Sequence, residues 1–151
     1  MPIYNVLLNS NNRVAGTGTS SCTYYFDWSI LPESAYKVSW GFVTGGNVDA
    51  TVNSILLVEA NLSQSSVFVA NTTRVRASNS YILGTAITNE SGSSFLYGDR
   101  NTNGDIYLTH RPFSNEFEVN LKTLTGLPWK DNVNAEISEY LLSLTFETIN
   151  T

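Results

Sequence analysis

The residues Asp99-Arg100-Asn101-Thr102-Asn103-Gly104-Asp105-Ile106 set oxygen-bearing side chains at the first, third and fifth places of a loop, with Asp105 at the seventh. Gly104 follows at the sixth and Ile106 at the eighth. Hard cations such as calcium take six to eight oxygen ligands, and this spacing resembles the loop that supplies them in helix-loop-helix calcium sites. The twelfth place needs a bidentate glutamate and holds His110, whose imidazole suits softer metals. The competing reading of Asp99, Asn101, Asn103 and Asp105 is an Asn-Gly turn between Tyr97 and Ile106, where both residues reach positive φ at little cost.

His110 is the single histidine and Cys22 the single cysteine. A Cys-His or Ser-His site needs a nucleophile held against its base, and no nucleophile elbow or supporting motif surrounds either residue. One His and one Cys also fall short of a four-ligand zinc cage. Glu116 and Glu118 share a strand face at i, i+2. Two carboxylates roughly 5 to 10 Å apart can cleave a glycoside, but the pair equally describes a solvated face. Trp129, in Leu127-Pro128-Trp129-Lys130, lies outside any alternating run. It is either a sugar platform or interface anchor, with Tyr97 or Tyr107 as a second ring, or a plug over one end of the fold. No residue set assigns a catalytic or cofactor-binding role, and no cofactor is expected.

The balance of charge narrows the partners. A net charge of −5 and a pI near 4.7 argue against direct nucleic-acid binding, which needs cations to displace counterions from phosphates. Arg74 and Arg76 are the one local basic pair and read as a solvated strand face. One cysteine excludes an internal disulfide and leans toward assembly in a reducing compartment. No secretory signal is expected, and no apolar run reaches the length of a membrane span. Sequons at Asn61, Asn71 and Asn89 are what a chain rich in Asn, Ser and Thr produces by chance. The Gly16-Thr17-Gly18 segment lacks the spacing and the helix of a phosphate loop.

The elements that must position these side chains are strands. Charged residues make up 14% of the chain, well below the usual quarter. Asn, Ser and Thr replace them and favour turns and strand edges. Tyr24, Phe26, Trp28 and Ile30 alternate on one face, as do Tyr36, Val38, Trp40 and Phe42, with Pro32-Glu33-Ser34 between. This pattern predicts an aromatic hairpin over 24–42 at the centre of the core. Further strands are expected at 3–8, 55–61, 66–71, 73–77, 81–88, 95–97, 106–108, 117–121 and 140–147. Residues 9–21 read as a polar loop or an arm that orders on assembly. No helical period persists over three turns. The expected fold is a single all-β domain over 1–151, an antiparallel β-sandwich. A jelly roll is the first choice and an immunoglobulin-like sandwich the second.

The segments Tyr25-Phe26-Asp27-Trp28-Ser29-Ile30-Leu31 and Tyr36-Lys37-Val38-Ser39-Trp40-Gly41-Phe42 resemble the opening of short β-rich proteins of large icosahedral double-stranded DNA viruses of algae and protists. Ile106-Tyr107-Leu108, Arg111-Pro112-Phe113 and Tyr140-Leu141-Leu142-Ser143-Leu144-Thr145-Phe146-Glu147 resemble later landmarks of that family, so the likeness spans nearly the whole chain. It implies a minor capsid or cement protein of the virion, assembled in the host cytoplasm. Its partners would be the major capsid protein, other minor capsid proteins and further copies of itself. The family carries no catalytic residues. Edge strands and loops would make the contacts. The rival from another class is a carbohydrate-binding sandwich built around Trp129; an enzyme resting on His110 or on Glu116 and Glu118 comes third.

Overall fold

A computed structural model of the chain describes residues 2–18, 20–45, 48–49, 55–62, 68–70, 75–77, 82–88, 93–94, 96–99, 105–123, 127–130 and 135–149. In chain order the strands are β1 (Ile3–Asn9), β2 (Ala15–Gly18), β3 (Ser21–Tyr25), β4 (Ala35–Gly45), β5 (Val48–Asp49), β6 (Ile55–Ala60) and β7 (Phe68–Ala70). They continue with β8 (Val75–Ala77), β9 (Ile82–Thr88), β10 (Ser93–Ser94), β11 (Leu96–Asp99), β12 (Ile106–Leu108), β13 (Glu116–Lys122) and β14 (Glu139–Ile149). Two short 3-10 turns, Ser10–Asn12 and Trp28–Ile30, interrupt them. The long strands carry the alternation that a half-buried sheet requires: Tyr36, Val38, Trp40 and Phe42 point inward from β4, and Tyr140, Leu142, Leu144 and Phe146 from β14.

Every strand pair is antiparallel, and the order defines the architecture. β11 and β12 lie end to end along β4, with Tyr97–Asp99 opposite Val43–Gly41 and Ile106–Leu108 opposite Val38–Tyr36. Counted as one strand, they complete a first sheet in the order β1, β14, β4, β11/β12. The second sheet runs β3, β13, β6, β9, with β2 added outside β3. Numbering these eight principal strands along the chain gives 1-8-3-6 facing 2-7-4-5. That is the jelly roll, two interleaved Greek keys in which every step along the chain except 4 to 5 crosses between the sheets. The immunoglobulin-like order does not occur. The ladder also turns one corner between the sheets, where Leu96 and Tyr97 of β11 pair with Thr88 and Ile87 of β9.

This order corrects the hairpin expected over 24–42. β3 pairs with β13 and β2, whereas β4 pairs with β14 and β11/β12. The two aromatic runs therefore face one another across the core instead of lying side by side. Asp27 starts the crossing: its carboxylate accepts from both the backbone N–H and the hydroxyl of Ser29, capping the 3-10 turn that ends the extended run. Tyr24 and Trp28 are buried as expected, but Ile30 is turned out to solvent. A period of two reports which face a side chain takes and not which strand lies beside it.

The polar segment 9–21 is likewise more ordered than a free arm. β2 pairs with β3 through Ala15 opposite Thr23 and Gly18 opposite Ser21, and the Val14 N–H donates to the Thr23 carbonyl at 2.7 Å. Ser10 is fully buried, and its Oγ accepts from the Tyr140 N–H at 3.0 Å. The loops at this end are tied to one another as well. Asn11 Nδ2 donates to Glu139 at 2.9 Å, the Ser20 hydroxyl to Glu136 at 2.5 Å, and β5 pairs with β10.

The core fills the space between the sheets and is rich in rings. Trp28 meets Phe117 of one sheet and Phe146 of the other, with centroids 5.3 and 5.4 Å apart. Tyr36 stands edge-on to Phe146, and Phe42 packs on Tyr140. Each such side chain contributes roughly 1.5–3 kcal/mol through burial, with a further increment from ring geometry.

Candidate interaction surface

The side chains that suggested chemistry are dispersed. Asp105 is half-buried and accepts the Ser39 hydroxyl at 3.0 Å, which ties it to β4. Asp99 pairs through its backbone with Gly41, and Asn101 and Asn103 lie outside the described residues. Among the described residues no group of three or more His, Cys, Asp or Glu side chains could hold a metal ion. His110 stacks on Phe113 at 4.2 Å, and its Nδ1 lies 2.9 Å from the Arg111 carbonyl. Cys22 is wholly buried on the inner face of β3, in hydrogen-bond reach of the Tyr24 and Tyr140 hydroxyls. A thiol closed off in this way is inert as a nucleophile. Glu116 and Glu118 stand on the solvated face of β13, opposite Tyr25 and Thr23 of β3.

Of the two readings that the sequence left open for Trp129, its burial fits the plug and not the exposed sugar platform. Trp129 is 1% exposed, and its backbone N–H donates to the Leu121 carbonyl at 2.9 Å. Pro128 bridges Lys122 just beforehand, so the segment folds back over β13 and the indole plugs the sandwich. Tyr107 is exposed on the outer face of β12, opposite Lys37. The side chain of Tyr97 lies outside the described set.

The end of the sandwich opposite Trp129 is held by the Arg111 guanidinium. Arg111 Nη1 donates to the Leu31 carbonyl at 2.7 Å and the Ser29 carbonyl at 3.4 Å, while Nη2 meets Glu33 at 3.3 Å. The Trp28 indole N–H donates to the Ser114 carbonyl at 3.0 Å, and the Phe26 N–H to the Asn115 carbonyl at 2.8 Å. The loops before β4 and before β13 are thereby locked together. The Ser29 donors hold the Asp27 carboxyl below the usual range, with Arg111 adding a smaller contribution. The sequence signal was Asp-x-Ser followed by Arg-Pro-Phe, a turn cap and a fork donor that only the fold brings together.

Besides Val14, Tyr107 and Leu127, exposed apolar groups gather at three places on this framework. Phe113, 76% exposed, and Ile30 crown the Arg111 end, with Tyr25 exposed at the end of β3. A row follows the register across five strands from Leu141 through Val43, Tyr97 and Ile87 to Ile55; its four aliphatic members are each partly exposed. The third place is the outer face of β1, where Ile3 is 57% and Leu7 66% exposed. Elsewhere on the sheets, cations pair with anions on neighbouring strands: Lys37 with Glu147 at 3.1 Å and Lys122 with Glu59 at 2.9 Å. Half-exposed pairs of this kind are worth little in stability.

These features define an all-β jelly-roll protein whose exposed apolar groups lie on loop ends, along a row across the strands and at a sheet edge. A scan against protein-family models and a search of the curated proteins both found no match for this chain. Among the described residues, no helix is long and apolar enough to cross a membrane.

Proposed function

We propose that this chain is a structural protein of an icosahedral virion, a minor capsid or cement component that binds capsomers and neighbouring minor proteins. The observation that carries the reading is the strand order, 1-8-3-6 facing 2-7-4-5, an architecture shared by viral capsid domains, lectins and cupins. Two further features separate the capsid reading from the others. The exposed apolar groups Phe113, Ile30, Tyr25, Ile3 and Leu7 sit on loop ends and a strand edge, where neighbouring subunits of a shell would meet. The lectin reading loses its aromatic platform with the burial of Trp129. On this reading the chain works by making contacts, in the virion and during its assembly in the host cytoplasm, and turns over no substrate.

Mass spectrometry of purified virions, set beside the soluble fraction of infected cells, tests the proposal. Peptides of this chain should co-purify with the major capsid protein at a fixed ratio. Their restriction to the soluble fraction would overturn the reading.

A further inference from the structure

We infer that the outer edge of β1 pairs antiparallel with the same edge of a second copy, joining two four-stranded sheets into one across a two-fold axis at Asn5. The inference rests on the reading of this chain as a contact-making protein, and it names one partner as the chain itself.

Among the described residues β1 stands at the end of the strand order and is hydrogen-bonded on one side only, to β14. The Thr148 N–H points to the Pro2 carbonyl. Antiparallel ladders alternate, so the backbone groups of Tyr4, Val6 and Leu8 are directed at β14 and those of Ile3, Asn5 and Leu7 point away from the sheet. Folded proteins blunt such edges with charge, proline, bulges, short length or a covering segment. β1 reads Ile-Tyr-Asn-Val-Leu-Leu-Asn, with neither a charged residue nor a proline, and its register with β14 is unbroken over all 7 residues. The edge of the other sheet is managed differently: β2 spans 4 residues and its register with β3 shifts between Ala15 and Gly18.

The pattern on β1 also selects the partner and the register. Two copies keep their cores on the same side of a joined sheet only if outward-facing residues oppose outward-facing residues. Centring the axis on Asn5 sets Ile3 of each copy against Leu7 of the other and Asn5 against Asn5. The two most exposed apolar side chains of the strand then cover one another, and the outward N–H and C=O groups of all three residues are satisfied. Centring on Val6 instead sets Ile3 against Asn9 and Leu7 against Asn5, which covers neither. An interface in which residue i meets j and j meets i is what a two-fold dimer requires. No like charges meet across it, which matters for a chain of net charge −5.

Sedimentation equilibrium of the full chain tests this at protein concentrations up to ~100 µM, a range that reports dissociation constants of that order. The wild type should show a concentration-dependent monomer–dimer equilibrium. Asn5→Pro removes an N–H that points away from β14 and one exposed bond, from the Thr145 hydroxyl to Asn5 Oδ1 at 2.9 Å, so it should keep the far-ultraviolet spectrum, lower the melting temperature only slightly and abolish the dimer. Asn5→Lys and Asn5→Asp set like charges against each other across the axis and should each weaken association several-fold, while an equimolar mixture of the two should regain it as a heterodimer. A wild type that stays monomeric throughout the range overturns the inference. So does a folded Asn5→Pro variant that dimerises undiminished, or a Lys/Asp mixture no tighter than either variant alone. The virion proteomics described above reads out separately, so loss of the dimer and loss of the capsid role are distinguishable.

Discussion

The Tyr24 hydroxyl donates to the Tyr140 hydroxyl at 2.9 Å inside the core, joining β3 of one sheet to β14 of the other. This is a buried polar link through an otherwise aromatic interior, with the Cys22 thiol beside it. Removing one member leaves the other with the Cys22 thiol alone, a weak partner, which costs about 1–3 kcal/mol, whereas removing both leaves little unsatisfied. Tyr24→Phe and Tyr140→Phe should each lower stability by that amount in urea titrations, and the double variant should lose clearly less than their sum.

The same pair sets an alkaline limit. Burial, the largest cause for both, pushes each phenol well above its ordinary value of about 10. Below that value folded and unfolded chains both hold the protons, and the pair's contribution is fully present. As pH rises past it, the unfolded chain releases protons that the folded chain retains, so stability falls with further increase. Urea midpoints should hold up to about pH 9 and drop as pH rises past about 10, and the Tyr24→Phe/Tyr140→Phe double variant should show a shallower decline.

Two tryptophans on the core side differ in one atom's surroundings. The Trp28 indole N–H reaches the Ser114 carbonyl, while the Trp40 indole N–H is buried and meets no hydrogen-bond partner among the described residues. Phenylalanine removes ring volume at either site, but only at Trp28 does it also break a bond that locks two loops. Trp28→Phe should therefore be more destabilising than Trp40→Phe by about 1 kcal/mol or more, measured as a difference in urea midpoints at equal slope.

The corner where the ladder passes between sheets is built around Gly98. A Cβ there would lie 2.3 Å from the Thr85 carbonyl oxygen, a backbone atom that cannot swing aside. Gly98→Ala should cost about 1–3 kcal/mol as an overpacking change, visible as a lower melting temperature. Gly41→Ala meets a movable serine hydroxyl at 3.0 Å and should cost less.

Strand positions were legible because alternation survives wherever one face is buried: the inward sets of β4 and β14 match the pattern read from residues 36–42 and 140–146. Pairing was not. Tyr24 and Tyr36 both point to the core, and nothing in their spacing distinguishes neighbours in one sheet from opponents across two. The turn was expected at Pro32-Glu33-Ser34 and comes earlier, at Asp27 and Ser29; its consequence, a crossing between sheets, depends on β13 and β14 more than eighty residues further along the sequence. Ser10 looked like loop because its partner is a backbone N–H at Tyr140. Trp129 was ambiguous for the same reason: an isolated ring in a Pro-containing segment carries no period, so burial depends on the surface it meets. The edge character of β1 follows from its place in the strand order, which local sequence does not encode.

β14 lies between β1 and β4, paired with the first over 7 residues and with the second over 11. Until that segment leaves the ribosome, the earliest strand and the long aromatic strand have no common neighbour, and each carries an uncapped ladder. Completing the sheet closes loops of about a hundred residues or more, a topology that folds in milliseconds to seconds instead of microseconds. Synthesis therefore passes through an interval in which two sticky strands wait for a third. Any helper protein that binds nascent chains would meet this one in that interval.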